Sequence, residues 1–428
     1  MEPTDDPFRL RRREVLAMMA AAGTVGAGAS PGAAMLEDVR AYDAMGEHRT
    51  ATPADHAASQ WLRRRLGAAG LQAELQHFEV PLFVPERREL RLADGVMPVF
   101  PAWPVVQTPA AGIVAPLASH DAPSLAGKIA VVSLPRAPGL WEAPGMGEVA
   151  LEVCRRGPRG VIAITEGPTG EVVAMNAVPT RFDWPVPVVL AGGRDGARLT
   201  ALAASGAEAT LVSTGAFTPK AQAANVVARR PGEGRAIVIS TPKSGWFHCA
   251  GERATGLAVF LHLADWLSRH SRAELLFVAF AGHELNYHGG AAFMADGAPP
   301  ADQVRLWMHI GANAAMQPLR VSLGAAAPDP GGSPRRRVTA TPAALDAARR
   351  AFGPAAGYDT VAEMNEATAV GEPSIIRHAG YPVMAGIIGA NPLFHTPLDR
   401  ADVVTTPAEL ETVAAAARGF LAGFVAVG

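Results

Sequence analysis

The chain has 428 residues, which is long enough for two or three domains. Its 49% hydrophobic and 18% charged residues exclude a disordered protein and indicate a large core. A formal net charge of -2 gives no reason to expect nucleic acid or an anionic membrane as a partner. The two cysteines, Cys154 and Cys249, exclude a disulfide framework, and two free buried thiols are expected rather than one disulfide.

The first predicted element is an export signal at residues 1–29. Three arginines, Arg11 to Arg13, precede a modestly apolar stretch rich in alanine and glycine, and Ala27-Gly28-Ala29 offers small residues to a signal peptidase. Paired arginines before a weakly hydrophobic segment resemble a twin-arginine signal. We therefore expect a periplasmic or secreted protein with no membrane span in the mature chain. A disordered basic tail and a short membrane anchor are the alternatives.

Three segments follow the signal. Residues 30–82 hold a helix that begins at Thr52-Pro53-Ala54-Asp55, where threonine is the N-cap and proline the first helical residue. Residues 83–217 carry short β-like runs among many prolines and glycines. Residues 218–428 alternate strands with helices and end in a helix that begins at Thr406-Pro407-Ala408-Glu409. The pattern predicts an α/β fold, in which the first and third segments form a mostly parallel, twisted sheet flanked by helices and the second is a β-rich insert.

Polar residues follow or end several predicted strands of the third segment. The runs and their neighbouring polar residues are Arg235–Ser240 with Thr241, Phe277–Phe280 with His283 and Glu284, Val304–Ile310 with His309 near its end, and Pro382–Ile388 ahead of His395. Ligands and catalytic groups collect where parallel strands of an open sheet end. The sequence therefore predicts a metal or catalytic site at this edge of the sheet, and the chain is expected to be an enzyme.

The middle segment resembles a protease-associated domain. The runs that carry the resemblance are Leu125-Ala-Gly-Lys128, Cys154-Arg-Arg-Gly157 and Val186-Pro-Val-Val189, in the usual order of such domains. The resemblance implies that residues 83–217 shape or cover a neighbouring active site and have no chemistry of their own.

The rest of the mature chain resembles metallopeptidase family 28, which contains zinc aminopeptidases and their glutaminyl-cyclase-like relatives. Asn225-Val-Val-Ala228 matches a strand entry of that family. The family's metal positions read Thr241-Pro242-Lys243, Glu252-Arg253, His283-Glu284, His309 and His395-Thr-Pro-Leu-Asp399. These are not the standard two-zinc residues, because Thr241 cannot replace an imidazole ligand and Lys243 brings a cation where an acid is usual.

The resemblance implies one zinc ion, held by Glu252, Glu284 and His395 in the manner of the glutaminyl cyclases. Three protein ligands with a fourth position open to water are typical of a catalytic zinc. The same ligands would also accept manganese, iron or cobalt. A bound zinc lowers the pKa of its water to about 7, so a neighbouring base can activate that water.

The resemblance also assigns roles around the metal. His283 stands where the family has its general base, and histidine can perform that proton transfer near neutral pH. His309 would hold the zinc-bound water or stabilise the oxyanion. Asp399 would orient His395, Glu372 would contact a substrate amine, and Thr241 would support the site. Trp246 and His248 match no position of the family: Trp246 is expected to line a pocket wall or simply to pack, and His248 is chemically capable of binding zinc.

Plainer interpretations of the same residues stay open. His283 and His309 are also compatible with buried, hydrogen-bonded core histidines, and Glu252 with an acid that begins a helix. The predicted function is an exported hydrolase of amide or peptide bonds that acts on a small peptide or amide. The alternatives are a catalytically silent relative that binds a ligand or partner, and an acyl transfer of the glutaminyl-cyclase kind.

Overall fold

The computed structural model describes residues 30–134, 146–177 and 183–425. The predicted export signal at residues 1–29 lies outside the described residues. No helix within the described ranges is long and apolar enough to cross a membrane. Cys154 and Cys249 are both buried and free of disulfide bonds.

Helices and strands alternate along most of the described chain. The helices are α1 Pro31–Asp43, α2 Pro53–Ala68, α3 Met146–Arg155, α4 Gly196–Ser205, α5 Thr255–His270, α6 His288–Asp296, α7 Pro342–Phe352, α8 Glu372–His378, α9 Ala401–Val404 and α10 Pro407–Ala422, with a π-helical turn at Ala250–Ala254 and 3-10 turns at Gly193–Asp195 and Ala301–Gln303. The strands are β1 Gln72–Leu92, β2 Gly95–Pro98, β3 Phe100–Pro101, β4 Ile113–Ser119, β5 Ile129–Leu134, β6 Gly160–Thr165, β7 Val188–Gly192, β8 Glu208–Arg230, β9 Glu233–Pro242, β10 Ala273–Phe280, β11 Val304–Ile310, β12 Leu319–Ser322, β13 Ala325–Pro328, β14 Arg336–Ala340, β15 Tyr358–Glu363 and β16 Met384–Gly389.

The helix starts predicted from the sequence are present. Thr52 caps α2 by accepting from the backbone N–H of Asp55, and the Asp55 carboxylate accepts from the N–H of Ala51 in return. Thr406 caps α10 in the same way, by accepting from the N–H of Glu409. Both helices have proline as their first residue, where the missing N–H costs nothing.

The described strands form one large mixed sheet, in the order β15-β14-β16-β11-β9-β10-β8-β4-β5-β6-β7-β3. Its centre is parallel, since β9 pairs in parallel with both β10 and β11, and β11 with β16. Only β12 and β13 pair outside this sheet within the described chain. The predicted α/β fold is confirmed.

The two faces of the central strands are both covered. Ile237 and Ile239 of β9 pack into a core shared with helices α1, α2, α5, α7 and α10. Val238, between them, points to the opposite face and packs with Phe293 of α6 and Ile376 of α8. This burial on both faces explains why the parallel strands read as continuous apolar runs.

Two long strands connect this part of the sheet to the segment predicted to be an insert. Strands β1 and β8 pair antiparallel from Gln72 opposite Arg229 to Arg91 opposite Thr210. They pass through both predicted boundaries, at residues 82–83 and 217–218. Strands β4 to β7 then extend the sheet beyond β8 in parallel pairs. The division into three segments, and the protease-associated character of the middle one, stay predictions.

Candidate active site

The polar residues predicted to share one edge of the sheet are brought there. Thr241 lies in β9, His309 lies near the end of β11, His283 and Glu284 follow β10, and His395 follows β16. All five are buried. The parallel direction of β9, β10, β11 and β16 explains this arrangement, because their carboxyl ends meet at the same edge.

A cavity of about 250 Å³ opens at this edge. His283, His309 and Glu372 supply its ionisable wall, and Val370 and Phe394 are among its apolar lining residues. A concave, mostly apolar pocket with a few converging polar groups is the usual form of a small-molecule site. The cavity is therefore the candidate binding site.

His283 and Glu372 form a buried pair in the cavity wall. Nδ1 of His283 lies 2.8 Å from Oε1 of Glu372, so Nε2 is the ring nitrogen left to face a ligand. Burial would raise the pKa of the Glu372 carboxyl, but the neighbouring His283 and His309 outweigh it and hold that pKa at about 2. Glu372 is therefore an anion that fixes the orientation of the His283 ring.

His309 lies beside this pair as a neutral ring. Burial lowers its pKa to about 4, and the nearby His283 and Arg253 contribute to the lowering. Its Nδ1 is 2.9 Å from Oγ of Ser240, which accepts a hydrogen bond from Nε1 of Trp307 at 2.8 Å. The Ser240 hydroxyl can then donate to Nδ1, which assigns the proton of His309 to Nε2. That nitrogen lies 3.7 Å from Oε2 of Glu372.

Glu252 and His395 form a second cluster with Arg253. Glu252 lies on the π-helical turn Ala250–Ala254, and its Oε1 is 2.5 Å from the Arg253 guanidinium and 3.5 Å from Nε2 of His395. All three side chains are inaccessible to solvent. Burial alone would raise the pKa of Glu252, but Arg253 and His395 reverse that effect and lower it to about 2.

Asp399 holds the turn that carries Glu252. Its two oxygens accept from the backbone N–H groups of Gly251 and Glu252, at 2.7 and 2.9 Å. Burial and the charge of Glu252 raise its pKa to about 7. Asp399 was expected to orient His395, but Nδ1 of His395 bonds the carbonyl oxygen of Ala174 at 2.8 Å. A backbone group of the middle segment therefore has the role predicted for Asp399.

The carboxylate of Glu284 has hydrogen-bond partners other than Glu252 and His395. Its Oε1 accepts from the backbone N–H of Thr50 at 2.6 Å, and its Oε2 accepts from the hydroxyl of Ser244 at 2.8 Å. Across the described ranges, no group of three or more histidine, cysteine, aspartate or glutamate residues is arranged to hold a metal ion. Of the three predicted zinc ligands, Glu252 and His395 lie 3.5 Å apart, and Glu284 is bonded to Thr50 and Ser244.

The residues as arranged do not fit a zinc ion. The carboxylate of Glu252 already faces a guanidinium, and both oxygens of Glu284 are engaged by neutral donors. The ammonium group of Lys243 forms a buried ion pair with Asp55 at the end of β9. Arg253 and Lys243 thus bring two fixed positive charges to the region where the sequence predicted a metal.

The other predicted site residues lie outside the cavity wall. Thr241 is fully buried in β9, and its hydroxyl lies 3.5 Å from the carbonyl oxygen of Pro242. Trp246 packs among aromatic rings and donates to Asn176 at 3.2 Å. His248 lies 2.9 Å from the carbonyl oxygen of Asp43, and its hydrogen bond to that aspartate raises its pKa. Trp246 supports the wall indirectly, because its partner Asn176 lines the cavity.

Several site features were not predicted from the sequence. The middle segment reaches the site directly, where the N–H groups of Ala174 and Ala177 donate to the carbonyl oxygens of His395 and Glu284. Ser240, which bonds His309, was predicted only as the end of a strand. A polar residue at the end of an apolar run is a signal that could have indicated a site residue. Glu372 was assigned to a substrate amine, whereas here it binds His283.

Comparisons with known proteins place the fold. No family model and no curated protein matches the chain. A zinc aminopeptidase from Bacillus subtilis superposes with a TM-score of 0.71 at 16% identity, covering 92% of this chain and 95% of that chain. An aminopeptidase from Aneurinibacillus gives a TM-score of 0.65 at 17% identity, over 93% and 94% of the two chains. A peptidase M28 precursor from Shewanella amazonensis gives 0.72 at 16% identity, over 91% and 92%.

The likeness extends over nearly the full length of each protein, so this chain has the fold of these aminopeptidases. The predicted zinc-exopeptidase-like fold is thereby confirmed. At such low identity the likeness concerns the fold, and function has to be argued from the residues of the site.

Proposed function

We propose that the protein is a peptidase-like hydrolase that cleaves an amide bond of a small peptide or amide bound in the cavity beside His283. The observation that carries the proposal is the buried contact of 2.8 Å between Nδ1 of His283 and the Glu372 carboxylate. A histidine held through one nitrogen by a carboxylate offers the other as a base, with the correct tautomer fixed by the bond. The aminopeptidase fold supports a peptide as the class of substrate.

The proposed reaction needs a water molecule and one proton carrier. Nε2 of His283 takes a proton from the water while the water oxygen attacks the carbonyl carbon of the amide. The carbon–nitrogen bond then breaks, and the proton returns from Nε2 to the departing amine. Glu372 stays ionised throughout and stabilises the cationic ring, since its own pKa is about 2.

His309 would assist as a hydrogen-bond donor. A neutral ring with its proton on Nε2 can donate to the attacking water or to the oxygen that becomes negative. The cavity is lined by His309 as well as by His283, so both rings can reach one ligand. The division of roles between them, base for His283 and donor for His309, follows from the partner of each ring: a carboxylate for His283 and a hydroxyl for His309.

The single zinc ion predicted from the sequence enters none of these steps. In the described structure Oε1 of Glu252 contacts the Arg253 guanidinium, both oxygens of Glu284 accept hydrogen bonds, and Nδ1 of His395 bonds the carbonyl oxygen of Ala174. Metal dependence is therefore a separate question, which the addition of a chelator to the assay answers.

A second candidate is a protein that binds a ligand in this cavity without turnover. The buried ion pairs Arg253–Glu252 and Lys243–Asp55 favour it. Each charge at this edge of the sheet is already compensated by its partner, so these four side chains are explained by stability and not by catalysis. Acyl transfer of the glutaminyl-cyclase kind would use the same cavity and would be recognised by its cyclic product.

The export predicted from the sequence is part of the proposal. We propose a periplasmic or secreted location that depends on the arginines at positions 11–13. Fractionation of cells that express the chain with a C-terminal tag tests it. Replacing Arg11 and Arg12 by lysine should retain the protein in the cytoplasm, whereas unchanged export would contradict the twin-arginine interpretation.

The activity is tested by screening amino-acid anilides and short peptides with a free amino terminus, in the presence of EDTA. His283→Gln should abolish hydrolysis, because glutamine cannot carry the proton. His378→Gln is the matched control, since His378 is exposed on the same helix as Glu372 and bonds only within that helix. If the wild type binds a compound without turning it over, the second candidate replaces the first. Equal rates for the wild type and His283→Gln would refute the role of His283.

A further inference from the structure

Two buried cations lie at the edge of the sheet where the sequence predicted a metal. The side chains of Arg253 and Lys243 have no solvent exposure, and each faces a carboxylate that is equally buried, Glu252 and Asp55. A buried charge is very costly unless an opposite charge compensates it. In zinc enzymes the metal ion can provide that compensation, and in this chain two side chains provide it.

Arg253 is held in place by more than its ion pair. Nε of Arg253 donates to the carbonyl oxygen of Ser244 at 2.7 Å, which fixes the plane of the guanidinium. The guanidinium contacts Oε1 of Glu252 at 2.5 Å, and Arg253 is the largest of the charges that stabilise the ionised form of Glu252 against burial. Glu252 therefore receives most of its charge compensation from Arg253.

His395 completes this arrangement on the other side of Glu252. Its Nε2 is 3.5 Å from Oε1 of Glu252, the same oxygen that the Arg253 guanidinium contacts. A nitrogen and a carboxylate oxygen so placed are groups that bind zinc. The guanidinium lies against the same oxygen, so the space beside that oxygen is taken by a cation that belongs to the chain.

Lys243 compensates the buried charge of Asp55, as Arg253 compensates that of Glu252. The ammonium–carboxylate pair joins the end of β9 to the first turn of α2, and the other oxygen of Asp55 accepts from the N–H of Ala51. The carbonyl oxygen of Lys243 accepts from the hydroxyl of Tyr42 at 2.6 Å. Lys243 therefore connects the end of β9 to both α1 and α2.

We propose that Arg253 is the resident cation of this site in place of a divalent metal ion, and that the wild-type protein therefore folds and keeps its cavity without bound metal. Lys243 has the corresponding role at Asp55. The proposal goes beyond the proposed function and does not depend on it, because it concerns metal content and stability. A protein that hydrolyses nothing could still confirm it, and an active hydrolase could still refute it.

The test compares the response to zinc of the wild type, Arg253→Ala and Arg336→Ala. Metal content is measured by mass spectrometry, and the apparent Tm is measured with EDTA and with added Zn²⁺. Arg336→Ala is the matched control, because it removes another buried guanidinium that is paired with a carboxylate, Glu409, and the hydrogen-bond partners of Arg336 among the described residues include no histidine. Each substitution removes the partner of a carboxylate, which is fully buried at Glu252 and 20% exposed at Glu409, and should lower the Tm by roughly 3–5 °C.

The proposal expects far less than one metal ion per wild-type chain and no change of its Tm with Zn²⁺ or EDTA. Arg253→Ala frees Glu252 and His395, so Zn²⁺ should recover about 2 °C or more of its loss, whereas Arg336→Ala should recover nothing. Arg253→Lys, which keeps a positive charge, should stay insensitive to zinc. About one zinc per wild-type chain, or a rise of the wild-type Tm with Zn²⁺, would overturn the proposal. So would an Arg253→Ala variant that zinc does not stabilise. If that variant fails to fold, the wild-type measurements and Arg253→Lys still decide.

Discussion

The structure gives Glu284 a structural role, and the substitution Glu284→Ala tests that role. The side chain is 1% exposed and accepts two hydrogen bonds, from the backbone N–H of Thr50 and the hydroxyl of Ser244. Thr50 lies in the turn before α2 and Ser244 follows β9, so the carboxylate of Glu284 ties two distant segments to the end of β10.

The expected loss of stability follows from the two donors that Glu284→Ala leaves without an acceptor, the N–H of Thr50 and the hydroxyl of Ser244. A buried donor left without a partner costs about 1–3 kcal/mol. Two such donors give about 2–6 kcal/mol, which is a large part of the 5–15 kcal/mol that stabilises a typical folded protein. Glu284→Gln should cost less, about 1–3 kcal/mol, because its amide oxygen can still accept from Thr50 and only the Ser244 hydroxyl loses its acceptor.

Urea unfolding followed by tryptophan fluorescence measures both losses, once in EDTA and once with Zn²⁺. Glu363→Ala is the control, because Glu363 is exposed at the end of β15 and its removal should change stability by less than about 0.5 kcal/mol. The losses for Glu284 variants should be the same with and without zinc. A Glu284→Ala protein as stable as the wild type in EDTA, or one whose loss appears only when zinc is present, would refute the structural role and favour the metal ligand predicted from the sequence.

Three further predictions concern the cavity. Glu372→Gln should lower kcat for any amide substrate by about 10²–10⁴-fold, because His283 loses the carboxylate that orients it; steady-state kinetics check this, and an unchanged kcat would exclude the proposed pair. The pKa of Glu372 in the folded protein is about 2, below its ordinary value of 4.5, so its ionised form contributes stability that is fully present above pH 4.5 and is lost as the pH falls towards 2. The loss of stability caused by Glu372→Gln, measured by urea unfolding between pH 6 and pH 3, should therefore be largest at pH 6 and shrink on acidification. A loss that is constant with pH would contradict the pairing with His283. Dialysis against EDTA should leave any hydrolytic rate unchanged, whereas a loss of rate that Zn²⁺ restores would show that a metal ion takes part.

The sequence was sufficient for the fold and for the place of the site. Apolar runs without alternation at β9, β10 and β11 are typical of strands buried on both faces, and their shared direction brings Thr241, His283 and His309 to one edge. Helix starts at Thr52 and Thr406 were readable because an N-cap is a local signal within four residues.

The partners of the charged side chains were not readable from the sequence. Glu284 accepts hydrogen bonds from Thr50 and Ser244, which lie 234 and 40 residues away in the chain. The sequence around Glu284 therefore could not show whether its carboxylate binds a metal or two neutral donors. Arg253 and Glu252 are neighbours on a π-helical turn, and their side chains contact each other. The sequence alone did not show that Arg253 would face Glu252 and not the solvent. A motif gives the type and order of residues, whereas contacts across the sheet decide which carboxylate meets which cation.

The same limit applies to the middle segment. A covering role was expected of it, but no residue of it was named as part of the site. The backbone of residues 174–177 meets both Glu284 and His395, and Asn176 lines the cavity. Backbone contacts of this kind leave no residue-specific pattern in a sequence.

The most direct test of the account is a crystal structure of the wild-type protein grown with Zn²⁺, with anomalous scattering recorded at the zinc absorption edge. The account predicts that the guanidinium of Arg253 contacts Glu252, that Glu372 contacts His283, and that the map shows no anomalous peak beside Glu252. A strong peak bonded by Glu252, Glu284 and His395, with Arg253 turned away, would contradict it.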